Sequence, residues 1–68
     1  MDASLFRFVR QSKGLTQEEF AKLLGVSRTY VCLIETGVKP VSYNVRLKLC
    51  GLCGDEYIER CRRFLNDK

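Results

Sequence analysis

The stretch GVSRTYVCLIE, residues 25–35, combines helical spacing with an outward face that is unusual for a small protein. Val31 and Ile34 share one side of the predicted helix, which suits a buried position. The opposite side carries four residues of mixed chemistry: Arg28, Thr29, Cys32 and Leu33. Arginine can donate two hydrogen bonds to guanine, threonine can bond a base or offer its methyl group, and leucine can touch a thymine methyl. This is the chemistry of a helix that reads base edges in DNA.

Further candidates flank this helix in the sequence. Gln17 begins the preceding helix, where its side-chain amide and the helix N-terminus suit a phosphate. Lys39 lies in a loop and is expected to contact a phosphate, although a solvated lysine is nearly as good an explanation. Tyr30 can reach a phosphate through its hydroxyl or pack against the core. Ser27 completes the predicted DNA-binding set at the start of the helix, where it also serves as the N-cap.

Each residue of the outward face has a simpler structural explanation. Arg28 can be a solvated surface arginine, and Thr29 can satisfy the N-terminus of the helix. Leu33 can pack in the core instead of touching a base. Cys32 can be a small filler at the margin between protein and DNA. The choice between these alternatives depends on the elements that hold the helix.

The preceding residues have the features of a helix-turn-helix motif over residues 17–36. Thr16 followed three residues later by Glu19 predicts a capping box at the start of the second helix. The connection LGVS has the length of the motif's turn, and Gly25 supplies a positive φ. Ala21 is small where the two helices must cross closely. A third helix held in this way can enter the major groove of DNA.

The residues before the motif predict a first helix. Its apolar positions recur at helical spacing: Leu5, Phe6, Phe8 and Val9. Asp2 or Ser4 is expected to cap this helix, and Gly14 is expected to follow its end in a left-handed conformation.

Two more helices are predicted after the motif. The first is expected to run from its cap, Ser42, through Leu49, with Gly51 and Gly54 bracketing its end. Asp55 is then expected to cap a fifth helix. That helix carries one broad apolar stripe: Tyr57, Ile58, Cys61, Phe64 and Leu65.

Length and composition favour one all-α domain of five short helices over residues 1–68. The net charge is +4, and the excess of Lys and Arg lies entirely within the first fifty residues. That distribution suits a nucleic-acid partner, with a mildly basic solvated surface as the alternative. No apolar run approaches the roughly 20 residues of a membrane span, and the N-terminus lacks a signal-peptide pattern. A cytoplasmic protein without membrane contact is therefore expected.

The segment LTQEEFAKLLGVSRTYVCLIETG resembles the phage repressor and Cro family of helix-turn-helix proteins, and the likeness extends over residues 5–50. The resemblance implies a five-helix, lambda-repressor-like fold, with the loop 37–42 along the DNA backbone. It also implies a structural ion pair between Arg10 and Glu35. The positions that contact DNA in that family match four residues of this chain: Gln17, Arg28, Thr29 and Leu33. After residue 50 the chain departs from the family, with CGLCGDEY and a longer last helix.

A homodimer on double-stranded DNA is also expected. The family usually binds DNA as a dimer, and the apolar stripe of the fifth helix is wider than one small core needs. The surplus predicts a symmetric dimer through residues 55–66, with Phe64 or Leu65 at its centre. Its two recognition helices would lie about 34 Å apart on a palindromic operator.

The pair Cys50 and Cys53 has the C-x-x-C spacing of half a zinc site. The chain has no histidine, and the remaining cysteines, Cys32 and Cys61, do not form a credible second ligand pair. No metal, cofactor or small-molecule ligand is therefore expected, and the absence of a catalytic constellation argues against an enzyme. The favoured function is a Cro- or repressor-like transcriptional regulator that acts by occupying an operator. The alternatives are a protein-interaction module such as an antitoxin and, third, a zinc or thiol sensor.

Overall fold

A computed structural model describes residues 1–67, which contain five α-helices and no strand. The helices are α1 (Ala3–Ser12), α2 (Gln17–Leu24), α3 (Arg28–Glu35), α4 (Tyr43–Cys53) and α5 (Asp55–Asn66). The all-α, five-helix prediction is therefore confirmed. Helix α3 packs against both α1 and α2, while α5 packs against α1 and α4. The recognition helix of the predicted motif is thus held from two sides.

One hydrophobic core receives side chains from all five helices. The two largest fully buried side chains, Phe6 and Phe20, meet with their ring centroids 5.1 Å apart. The other buried residues are Leu5, Val9, Ala21, Leu24, Val31, Ile34, Val45, Leu49, Ile58 and Cys61. Because a chain of this length can bury only a modest apolar area, each helix has to contribute to the core.

Side-chain caps begin the first four helices as the sequence indicates. Asp2 rather than Ser4 caps α1, since its Oδ1 accepts the Leu5 N–H at 2.8 Å. Thr16 and Glu19 form the complete capping box of α2. Ser27 caps α3 and Ser42 caps α4, each through its side-chain oxygen. These caps satisfy N–H groups that the helix itself leaves without a partner.

The boundary between α4 and α5 differs from the predicted one. Helix α4 does not end near Leu49 but continues through Gly51 to Cys53. Leu49 is buried and Cys53 is half-buried, so packing on both sides of Gly51 outweighs the roughly 1 kcal/mol helix penalty of a glycine. Asp55 is not the cap of α5 but its first residue, because Gly54 occupies the cap position with a φ of 84° and no side-chain hydrogen bond.

Candidate nucleic-acid interface

The turn between α2 and α3 is built around Gly25. Its φ of 70° is left-handed, which is the conformation that reverses the chain after a helix. The N–H of Val26 then donates to the carbonyl of Ala21 at 3.0 Å, and Val26 packs against the core. The Lys48 ammonium from α4 lies over the turn, so that a Cβ on Gly25 would stand 2.6 Å from Nζ. Gly25 therefore meets a conformational requirement, and a side chain there would also displace the flexible end of Lys48.

Helix α3 presents one face to the core and one to solvent. Val31 and Ile34 are buried, which anchors the helix. The predicted reading residues Arg28, Thr29 and Cys32 are exposed. Leu33 is half-buried. Ser27, at the start of the helix, uses its hydroxyl oxygen to accept the Tyr30 N–H at 3.0 Å.

The segment after α3 folds back on the end of that helix. The carbonyl of Leu33 accepts the N–H groups of Val38 and Lys39 at 2.9 and 3.1 Å, while Gly37 has a φ of 81°. Lys39 is exposed, and its Nζ lies 6.0 Å from the centroid of the half-buried Tyr30 ring. This arrangement places a positive charge beside the outward face of α3.

A polar network joins α1, α2 and α3 beneath this face. Arg10 donates to both carboxylate oxygens of Glu35, from Nε at 2.7 Å and from Nη2 at 3.0 Å. Its Nη1 donates to the carbonyl of Leu15 at 2.8 Å. The Gln17 amide donates from Nε2 to Glu35 Oε1 at 3.2 Å. The Arg10 and Glu35 side chains are only 13% and 4% exposed, so the structure brings this ion pair together in a nearly dry site.

The family model of a helix-turn-helix domain matches residues 3–55, which is most of the chain. The protein belongs to this helix-turn-helix family. No significant match was found among curated proteins or solved structures. Membership of the family indicates DNA binding and the regulation of transcription, and families of this kind are typically not enzymes. No helix within residues 1–67 is long and apolar enough to cross a membrane.

Two exposed apolar residues beside the helix-turn-helix motif were not selected from the sequence. Val38 is 67% exposed in the connection after α3, and Tyr43 is 73% exposed at the first turn of α4. The signal for Tyr43 was its place directly after the cap Ser42, where a tyrosine hydroxyl can reach a phosphate beyond the helix N-terminus. Val38 has no comparable polar group, and its only signal was its place in the loop 37–42, which the family resemblance puts along the DNA backbone.

The apolar stripe of α5 serves the helix-turn-helix domain's own packing more than the sequence suggested. Ile58 and Cys61 are buried in the core and have almost no surface left for a second copy. The Tyr57 hydroxyl meets Ser12 Oγ at 2.5 Å, and Lys13 Nζ lies 4.1 Å from the Tyr57 ring centroid. These contacts arise because α5 lies along α1, which a stripe read on one helix cannot show.

The last two residues of the stripe lie nearer the surface. Leu65 is half-buried against the core. Phe64 stacks on Phe8 of α1 at a centroid distance of 5.3 Å and remains 58% exposed. Of the five residues predicted to form a dimer interface, Phe64 therefore offers the largest apolar surface.

The four cysteines occupy different environments. Cys32 is exposed, Cys50 and Cys53 are half-buried, and Cys61 is buried. A hydrogen bond to Asp55, followed by burial, raises the pKa of the Cys50 thiol, and burial raises the pKa of Cys53. Both thiols are therefore less ready to lose the proton that metal binding requires. Within residues 1–67, no three His, Cys, Asp or Glu side chains are grouped to hold a metal ion.

Proposed function

We propose that this protein is a sequence-specific transcriptional regulator of the phage repressor and Cro type, which acts by occupying an operator. The observation that carries the proposal is the division of α3 into two faces. Val31 and Ile34 hold the helix in the core, while Arg28 and Thr29 are exposed on its first turn. The early turns of a recognition helix are the part that meets base edges in the major groove.

The side chains of α3 have distinct proposed roles. Arg28 donates two hydrogen bonds to guanine O6 and N7, and Thr29 contacts the neighbouring base. The exposed part of Leu33 touches a thymine methyl group. Cys32 fills space at the edge of the groove. Ser27 keeps its hydroxyl on the Tyr30 N–H and approaches DNA with the remaining lone pair.

Contacts to the phosphates orient the helix in the groove. Lys39 supplies a charge, and the hydroxyls of Tyr30 and Tyr43 supply neutral hydrogen bonds. Gln17 approaches the backbone at the N-terminus of α2. Because only Lys39 among these four residues releases a counterion, its loss alone should change the salt dependence of binding.

A homodimer on a palindromic operator is the proposed active form. Phe64 is the centre of the proposed interface, since it is exposed beside Phe8, and Leu65 extends the same surface. Replacement of Phe64 by lysine should give a folded monomer with weaker binding to the full site, as sedimentation and operator titration would reveal. A wild-type protein that sediments as a monomer at high micromolar concentration, and binds its operator as one copy, would rule out the dimer.

Selection of bound sequences from a random DNA pool tests the function directly. A palindrome with half-sites about one helical turn apart is the expected result. A single unrepeated site would retain sequence-specific recognition but reject the dimer. Failure to enrich any sequence at low salt would reject the regulator itself, since even non-specific binding is strongest there.

A protein-interaction module such as an antitoxin is the second candidate, because α4 leaves apolar side chains exposed. Tyr43, Leu47 and Leu52 are each about half exposed or more. A stoichiometric protein partner that co-purifies with the chain and is lost from a Leu47→Lys variant would favour this candidate.

A zinc or thiol sensor is the third candidate and rests on the C-x-x-C spacing of Cys50 and Cys53. If the cysteines hold no structural metal, chelator treatment should leave helicity and melting temperature unchanged. Loss of structure with release of stoichiometric zinc would instead favour the sensor, because a structural metal contributes directly to folding.

A further inference from the structure

Glu35 is the only residue of the described chain that accepts side-chain hydrogen bonds from two other helices at once, α1 through Arg10 and α2 through Gln17. It is also the last residue of α3. We propose that Glu35 is a positioning residue for DNA binding, which orients the Gln17 amide so that its second N–H donates to a phosphate. The inference rests on the DNA-binding function proposed above.

The orientation follows from the chemistry of the three groups. An ionised carboxylate only accepts hydrogen bonds, so Gln17 must turn its NH₂ group and not its carbonyl towards Glu35. One of the two Nε2 hydrogens is then engaged, and the other points away from Glu35. A phosphate oxygen also only accepts, so the remaining N–H is the group that it needs. A reversed amide would present its oxygen to both anionic neighbours.

The charge of Glu35 would repel a nearby phosphate if it stood alone. Arg10 removes this difficulty, because its guanidinium pairs with both carboxylate oxygens. The pair lies beneath the surface, with Glu35 only 4% exposed, so little of the carboxylate's field reaches solvent uncompensated. Glu35 can therefore orient Gln17 without opposing the approach of DNA.

This arrangement couples backbone contact to base reading. Gln17 is the first residue of α2, and Glu35 ends the helix that carries Arg28. A phosphate held by Gln17 is then rigidly related to the register of α3 in the groove. Without the Glu35 contact, the Gln17 side chain would be free to rotate. Part of the free energy of its hydrogen bond to the phosphate would then be offset by the conformational entropy lost when the side chain becomes ordered.

A double-mutant cycle on operator affinity tests the proposal, with Gln17→Ala, Glu35→Gln and their combination. Gln17→Ala should weaken binding by about 3- to 10-fold, the value of one neutral hydrogen bond, without changing the salt slope. Glu35→Gln should reduce affinity in both backgrounds. The fold-loss should be about three times greater in the wild-type background than in the Gln17→Ala background. The excess is the effect that passes through Gln17, since a general effect on folding or charge would appear in both backgrounds.

Glu19→Gln is the matched control for the change of charge. Glu19 also lies in the first turn of α2, but its hydrogen bonds are with Thr16 and not with Gln17. Its replacement adds the same charge near the same helix N-terminus. The effect of Glu19→Gln on affinity should therefore be equal with and without Gln17→Ala.

Side-chain amide NMR of the wild-type protein provides a measurement that needs no Glu35 variant. One Gln17 Nε2 proton should exchange slowly in the free protein, and the second should become protected only on the operator. Equal effects of Glu35→Gln in both backgrounds, no effect of Gln17→Ala, or release of Gln17 from Glu35 on the operator would each overturn the proposal while leaving DNA binding intact. A wild-type protein that binds no DNA would overturn the proposed function as well.

Discussion

In the N-terminal unit, residues 3–35, each helix begins with a side-chain cap. In the C-terminal hairpin, residues 43–66, α4 has such a cap, but α5 follows Gly54 and has none. The ion pairs of the two regions also differ, in how far they are buried. Arg10 and Glu35 are nearly buried in the first unit, but Arg60 and Glu56 in the hairpin have side chains 72% and 85% exposed.

The two regions also differ in the apolar surface that they leave uncovered. Of the large exposed apolar side chains, Leu23 belongs to the N-terminal unit, while Tyr43, Leu47, Leu52 and Phe64 belong to the hairpin. A recognition helix has to be held in one orientation, so polar groups around it are paired and capped. The hairpin completes the core and leaves more of its apolar side chains exposed. We expect single substitutions to have larger and more specific effects in the N-terminal unit.

The largest effect is expected from the buried ion pair. Glu35→Ala should destabilise the protein by about 3–5 kcal/mol, because it leaves the Arg10 charge buried without its partner. Glu56→Ala, the matched change in the hairpin, should cost at most about 0.5 kcal/mol, because its ion pair is exposed. Urea unfolding of both variants measures the difference. Similar losses of unfolding free energy would mean that the buried ion pair stabilises the protein no more than the exposed one.

Exposed arginines from the two regions should separate reading from the general attraction of DNA. Arg28→Ala should lose about 1–3 kcal/mol at one base pair and relax the preference there. Arg46→Ala, in α4, should leave the selected sequence unchanged. Lys39→Ala should weaken binding to all sequences and lower the salt slope by about 0.9. Selection from a random pool and salt titrations measure these effects, and an unchanged motif for Arg28→Ala would contradict the assignment.

Replacement by alanine should change the stability of the protein in opposite directions at two glycines, one in each region. Gly25→Ala should destabilise by about 1–2 kcal/mol, because a left-handed residue with a Cβ is strained and Lys48 must also move. Gly51→Ala should stabilise by about 0.5–1 kcal/mol, because the helix interior there has open space around it. Thermal and urea unfolding of both variants provide the comparison. Combining Gly25→Ala with Lys48→Ala should recover only the steric part of the loss.

The smallest effect concerns the capping box of α2. Two hydrogen bonds lower the pKa of Glu19. The larger effect comes from the Thr16 backbone N–H and the smaller from the Thr16 side chain. A carboxyl whose pKa is lower in the folded state adds stability above its unfolded pKa, and this stability disappears as the pH falls through the folded value. The stability difference between wild type and Glu19→Gln should therefore narrow in acid. A difference that grows as the pH falls would contradict the capping role.

Local patterns were sufficient to predict much of the N-terminal unit. Thr16 and Glu19 are three residues apart, and a capping box depends on nothing more distant. Gly25 marks the turn because few other residues adopt a positive φ there. The burial of Val31 and Ile34 follows from helical spacing alone. The family resemblance placed Arg10 with Glu35, although no local pattern connects residues 25 positions apart.

The hairpin was harder to predict because its features depend on neighbours distant in sequence. Gly51 reads as a helix end, yet the packing of Leu49 and Cys53 carries α4 past it. Ile58 and Cys61 read as surplus apolar surface until the rest of the fold is known to cover them. Burial is a property of the assembled core, and a stripe on one helix does not reveal which of its residues the other helices will reach.

The amino-acid sequence by itself determined the five helices, the side-chain caps of the first four and the two faces of α3, because these depend on residue type and on spacings of three or four positions. Only the tertiary structure decided that Glu35 would bind Gln17 as well as Arg10, and that Lys48 would lie over Gly25. The physical reason is the range of the forces involved. Helix formation and capping depend on residues within one or two turns. A side-chain hydrogen bond between helices depends on which donor and acceptor atoms the packing of the core brings to within about 3 Å.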